Sequence, residues 1–108
     1  MAETAHRRLA LALADSEMNK WEILVSQEGL TNVPRNRVKC VVDHRDLKTK
    51  RDDLEGYIEY GELELMTETI GEQPVQSYYK FWVRVSWYEN NEDTPEFVQL
   101  ISYFPKKE

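Results

Sequence analysis

The segment Glu3–Glu28, with the sequence ETAHRRLALALADSEMNKWEILVSQE, is the stretch around which the rest of the chain is organised. Its larger apolar residues recur at spacings of three and four, which places them on one stripe of an α-helix: Leu11, Ala14, Met18, Trp21 and Val25. Gly29 is well placed to end this helix, because a left-handed residue after the last turn costs glycine little. The segment therefore predicts one long amphipathic helix over residues 3–28.

The first half of this helix carries more apolar residues than one buried stripe needs. Residues 9–14 form an unbroken run of alternating leucine and alanine, which is too broad for a helix that meets one partner on one face. Two interpretations stay open. The helix is either an ordinary core helix with extra surface alanines, or a helix whose second face contacts another molecule.

Composition limits the classes of protein to which the chain can belong. Its 108 residues predict a single small domain spanning residues 1–108. A hydrophobic fraction of 41% favours a folded chain, while a net charge of -6 indicates an acidic surface and argues against nucleic-acid binding through a basic patch. No apolar run approaches the 18 or more residues of a transmembrane helix, and no signal peptide is visible.

Downstream of the helix, alternating apolar and polar residues predict strands over residues 37–44, 56–67, 77–89 and 96–104. The clearest is the third, whose core-facing side is predicted to carry Tyr79, Phe81, Val83, Val85 and Trp87. In the second strand the inward face is ambiguous, and Gly61 indicates a bulge or a close backbone approach. Residues 43–55, 69–74 and 89–95 are predicted to be a solvated charged loop, a connection and a hairpin loop. The fold class is α+β, with the helix packed on one antiparallel sheet of about four strands.

The sequence contains no Walker loop, no Gly-rich dinucleotide turn, no His-Glu-x-x-His motif and no paired cysteines, so no cofactor is predicted. Cys40 and His44 lie four residues apart on one predicted strand, about 13 Å at 3.3 Å per residue, which disfavours a catalytic thiol. His6 and His44 are predicted to be surface or capping residues rather than metal ligands. The acidic segment 89–93 offers oxygen ligands for calcium, but its spacing does not match an EF-hand loop, so a solvated hairpin is favoured.

Aromatic residues on the outer face of the third strand suggest an interaction surface. Trp82 and Tyr88 flank Arg84 there, and exposed aromatic side chains beside a cation are typical of a contact patch. The alternative is that a neighbouring strand or loop covers them.

Two segments resemble the pilin-like proteins, among them the minor pseudopilins of type II secretion (I-like) and the related minor type IV pilins. The first is Ala5–Trp21, where an alanine-rich run leads into small polar, acidic and aliphatic residues as at the end of the pilin helix. The second is Tyr79–Trp87, a valine-alternating strand that ends in tryptophan, with the returning segment Val98–Leu100. The family's prepilin cleavage site and the apolar N-terminal half of its helix have no counterpart in this sequence.

The resemblance implies a non-catalytic building block with a pilin-like fold. Its partners would be other pilin or pseudopilin subunits of one filament, in which this chain would act as a minor tip or initiation subunit. The full-length protein would be anchored in the inner membrane of a bacterium and expose this domain to the periplasm, while the fragment itself would not contact the membrane. Packing in the filament would use Leu9, Ala10, Leu11, Ala12 and Leu13. The sheet edge or the loop 43–55 would contact other minor subunits.

A different class of protein also fits the pattern. A cystatin-like or nuclear-transport-factor-like α+β domain sets a helix against a curved sheet and binds a small molecule between them. In this chain such a pocket would be lined by Tyr57, Glu59, Tyr79 and Trp87. A third interpretation, a small adaptor or inhibitor that binds through its acidic surface, has no residue pattern that selects it.

Overall fold

The computed structural model of the chain describes residues 2–44, 53–89 and 92–106. It is an α+β fold with one N-terminal helix and one antiparallel sheet of five strands, one more than the pattern predicted. The elements are α1 (Ala2–Ser26), β1 (Val38–His44), β2 (Asp53–Tyr60), β3 (Glu64–Ile70), β4 (Gln73–Trp87) and β5 (Glu96–Pro105).

The long strand β4 lies at the centre of the sheet. The whole of β5 pairs with residues 78–87 on one side of β4. β2 and β3 share the other side, where β2 pairs with residues 83–87 of β4 and β3 with residues 73–80. β1 continues the sheet beyond β2. All of these pairings are antiparallel.

The prediction of one strand over residues 56–67 is wrong, because residues 61–63 separate β2 from β3. At the break, the Gly61 amide donates to the Trp82 carbonyl oxygen at 2.9 Å. The Trp82 indole lies over Gly61 so closely that a Cβ there would be 2.2 Å from Nε1. The predicted close approach at Gly61 is therefore confirmed, and it is where the chain changes strands.

Two predicted connections are also corrected. β3 runs to Ile70 and β4 begins at Gln73, so the predicted connection 69–74 is a tight turn in which Gly71 has φ 65°. The two ends of the predicted charged loop 43–55 belong to β1 and β2, and residues 45–52 lie outside the described part of the chain.

The helix ends two residues before the predicted Glu28, and Gly29 follows the last turn as predicted. The last helical residue is Ser26, Gly29 follows with φ 70°, and the Leu30 amide donates to the Leu24 carbonyl oxygen at 2.8 Å. Only glycine adopts this backbone conformation at little cost, and the bond satisfies one of the carbonyls that a helix end leaves unpaired.

The core lies between α1 and the inner face of the sheet. The predicted inward face of β4 is confirmed, since Phe81, Val83 and Val85 are fully buried and Trp87 is 1% exposed. The helical stripe is corrected at its start, where Ala10 is fully buried and Leu11 is 44% exposed. The stripe advances by four residues at a time through His6, Ala10, Ala14 and Met18, and so it passes through the alanines.

Candidate interaction surfaces

The apolar run of α1 divides between the core and the solvent. Leu9 is 39% and Leu11 44% exposed, and Ala12 is exposed beside them. Ala10 is fully buried, so the prediction that it packs against another subunit is wrong. Leu13 is partly buried against the core. The exposed apolar residues of this run are therefore Leu9 on one flank of the buried stripe, Leu11 on the other, and Ala12 on the side away from Ala10.

The predicted patch on the outer face of the sheet is partly covered. The Arg84 guanidinium lies 5.0 Å from the ring centroids of both Trp82 and Phe97. Its Nε and Nη2 donate to Gln99 Oε1 at 2.9 and 2.7 Å. Trp82 is half-buried over Gly61, whereas Tyr88 is 51% exposed. Trp82 and Arg84 are thus fixed within the sheet, and Tyr88 is the freely presented member.

A depression of about 400 Å³ lies beside this patch on the same outer face. Two arginines line it, each stacked on an aromatic ring: Arg84 on Phe97, and Arg37 at 4.1 Å from the Tyr57 ring centroid. Stacking of this kind holds the cation while leaving its remaining N–H groups exposed to solvent.

The predicted pocket between helix and sheet is not formed by the residues that were expected to line it. Tyr57 and Glu59 line the depression on the outer face, away from α1. Trp87 is 1% exposed within the core, and Tyr79 packs against that core. Period-2 alternation in β2 explains the difference, because Ile58 faces inward and its neighbours in sequence therefore face outward.

A buried polar cluster joins α1, β1 and Glu89, which lies two residues beyond the end of β4. The sequence did not indicate this cluster. His6 is 3% exposed. Its Nδ1 lies 2.8 Å from Glu89 Oε1, and its Nε2 lies 3.2 Å from Asp43 Oδ2. The Trp87 Nε1–H donates to the same Glu89 oxygen at 2.8 Å. The prediction of a surface or capping role for His6 is therefore wrong.

Each ring nitrogen of His6 lies beside a carboxylate oxygen, which limits the hydrogen bonds that the ring can make. A carboxylate accepts hydrogen bonds and does not donate them, and a neutral imidazole has a single N–H. Both ring nitrogens can donate to their carboxylates only when the ring is protonated. These contacts tie the start of α1 to β1 and to the end of β4.

The described residues include no group of three or more histidine, cysteine or acidic side chains that could hold a metal ion. Of the segment 89–93, considered for calcium, Glu89 faces His6 and Trp87, while Asn90 and Asn91 lie outside the described residues. Burial raises the pKa of the half-buried Cys40 thiol, so this group is held in its unreactive protonated form.

Tyr60, which packs against the core, contributes a pH-dependent part of the stability of the fold. Burial, and next the negative charge of Glu17, raise the pKa of its phenol to about 12. A tyrosine in the unfolded chain ionises near pH 10. The stabilisation from this group is therefore fully present below about pH 10 and is lost as pH rises through about 12.

We expect the free energy of unfolding to fall across this alkaline interval more steeply in the native protein than in Tyr60→Phe, which has no proton to lose at this position. Denaturant unfolding at a series of alkaline pH values measures both slopes. Because other tyrosines and lysines titrate in both proteins, only the difference between the slopes reports on Tyr60. Equal slopes would contradict the assignment.

None of the helices in the described part of the chain is long and apolar enough to cross a membrane. A scan against protein-family models, a search of curated proteins and a search of solved structures returned no match to this chain.

Proposed function

We propose that this chain is a non-catalytic structural subunit of a pilin-like filament, either a type II secretion pseudopilus or a type IV pilus. In this proposal it is a minor subunit at the tip or in initiation, and it acts by assembling with other pilin or pseudopilin subunits. The full-length protein is anchored in the inner membrane of a bacterium, and this domain faces the periplasm.

The observation that carries the proposal is that α1 exposes three apolar residues outside its packed stripe: Leu9, Leu11 and Ala12. Leu9 and Leu11 lie on the two flanks of the stripe, and Ala12 lies on the side of the helix away from the buried Ala10. A small residue between two exposed leucines allows a second helix to approach at 8–10 Å, the usual distance for packed helices. A helix with one face in its own core and the other in a helical filament needs this arrangement.

The experiment replaces Leu9 with lysine in the full-length protein and measures how much of it enters filaments sheared from cells that produce the other subunits. Leu65→Lys, in β3, is the matched control because Leu65 is 51% exposed and α1 packs on β5, β4 and β1. We expect a loss of roughly tenfold or more for Leu9→Lys and little change for Leu65→Lys. Equal incorporation of both variants and the native protein would overturn the proposal.

A further inference from the structure

Strand β5 presents an open sheet edge. Among the described residues it pairs with β4 alone. The carbonyl oxygen of Phe97 faces away from β4, because it accepts a hydrogen bond from Arg7 Nη1 at 3.2 Å. Backbone groups point to alternate sides of a strand with a period of two. The N–H and C=O groups of Gln99, Ile101 and Tyr103 therefore also point to the open edge.

The pairing of β4 supports this assignment independently. The Trp82 carbonyl accepts the amide of Gly61 and so faces away from β5. Trp82 lies opposite Ile101 in the ladder. Opposite residues in an antiparallel pair either both face each other or both face away, so the backbone groups of Ile101 point to the open edge.

The other two outer strands carry features that discourage pairing with another chain, and β5 does not. β1 has a bulge between Val41 and Asp43 and an outward Lys39, and β3 has a bulge between Glu68 and Thr69. β5 has no charged residue over 97–104 and no register shift against β4. Three of its four outward side chains are large and hydrophobic, with Phe97 51%, Ile101 54% and Tyr103 58% exposed. An edge of this kind is a template for another strand.

A groove of about 400 Å³ runs between this edge and α1, lined by Arg8, Leu11, Ala12, Asp15 and Leu100. α1 packs chiefly over β5 and β4, the two strands nearest this edge. If two such sheets joined edge to edge about a two-fold axis normal to the sheet, their helices would lie on the same face of the joined sheet, one on each side of the seam.

The charges along the groove are self-complementary. Arg8 and Asp15 lie at equal distances from the midpoint between Leu11 and Ala12, and both are exposed. Neither makes an ion pair with another described residue. A two-fold axis at that midpoint would place Arg8 opposite Asp15 of a second copy, and Leu11 opposite its Ala12.

The same two-fold axis also relates two copies of β5. Leu100 lines the groove beside Leu11 and Ala12, so the axis passes close to it. Antiparallel pairing about Leu100 sets Gln99 opposite Ile101 of the second copy, and Phe97 opposite its Tyr103. All four side chains face the outer side of the sheet, where aromatic cross-strand pairs are favourable.

We propose that two copies of this chain associate through antiparallel pairing of their β5 strands, forming a continuous ten-stranded sheet on which the two α1 helices pack side by side. The contact is isologous, with two identical Arg8–Asp15 ion pairs across the axis. It follows from the edge and the groove and does not depend on the filament proposal. Because it covers Leu11 and Ala12, pairing of this kind and filament packing through these residues exclude each other.

Sedimentation equilibrium over about 1 μM to 1 mM tests the proposal with reversed charges. Arg8→Asp and Asp15→Arg each replace both ion pairs by repulsion, so we expect each to raise the dimer dissociation constant roughly tenfold. The double variant restores the pairs with their signs exchanged and should return close to the native value. Glu62→Arg is the matched control for Asp15→Arg because it makes the same change of charge between β2 and β3, on the side of β4 away from β5. It should leave the dissociation constant unchanged.

Hydrogen exchange identifies the strand that pairs. The amides of Gln99, Ile101 and Tyr103 should become protected as the protein concentration rises, while that of Leu100, which faces β4, should be protected throughout. A protein that stays monomeric across this range would overturn the proposal. A dimer whose dissociation constant is unchanged by the single charge reversals, or is not returned to the native value by the double variant, would also overturn it. So would a dimer in which the three edge amides stay unprotected.

Discussion

Replacing Phe81 by alanine is expected to lower the free energy of unfolding by about 3–5 kcal/mol. Phe81 is fully buried, and its ring lies 5.5 Å from that of Phe104, 6.3 Å from that of Tyr60 and 6.4 Å from that of Trp21, measured between centroids. The substitution removes the ring by which β4 contacts α1, β2 and β5 at once, and the surrounding rings cannot close the cavity without leaving their own packing. Urea unfolding followed by tryptophan fluorescence measures the loss.

Phe97→Ala is the matched control because it deletes the same side chain from the outer face, where Phe97 is 51% exposed. Its cost should stay below about 1 kcal/mol, mainly from the lost contact with Arg84. The measurement is made at low concentration, so that association of β5 edges does not contribute. Similar losses for the two variants would contradict the placement of the core on the α1 side of the sheet.

The core face of β4 could be predicted because its period of two is unbroken. Phe81, Val83, Val85 and Trp87 alternate with polar or outward-facing residues, and a strand with one buried side imposes that pattern whatever its neighbours are. The end of α1 at Gly29 was predictable for a similar reason, since the conformation there is local and nearly specific to glycine.

The helical stripe was less predictable at its start because alanine and leucine alternate there. Both a stripe through Ala10 and one through Leu11 satisfy the spacing of a helix, and larger side chains bias the choice toward leucine. In the structure Ala10 and Ala14 are fully buried. The packing of α1 on β4 and β5 selects between the two stripes, and that information is not local to the helix.

The break between β2 and β3 and the cluster around His6 depend on contacts between residues distant in sequence. Gly61 gave a local indication of a close approach, but not that the Trp82 indole would cover it. His6 has no motif around it, and its partner Glu89 is 83 residues away. A single buried histidine therefore looks the same in the sequence as an exposed one. The acidic residues nearby in the fold could be recognised only after α1, β1 and β4 had been placed.

His6→Ala is expected to lower the free energy of unfolding by about 3 kcal/mol, because it removes a buried ring that contacts two carboxylates. The substitution deletes the contacts of Asp43 and Glu89 with the imidazole that lies between them. The side chain of Glu89 is 13% exposed and that of Asp43 is 27% exposed, so partial solvation of Asp43 limits the loss.

Glu89→Gln is the control, because its amide oxygen can still accept from Trp87 while His6 keeps its contact with Asp43. We expect it to cost roughly 1 kcal/mol, and the order of the two losses in urea unfolding near neutral pH is decisive. An effect of His6→Ala no larger than that of Glu89→Gln would contradict the assignment of His6 as the side chain that joins the start of α1 to β1 and to the end of β4.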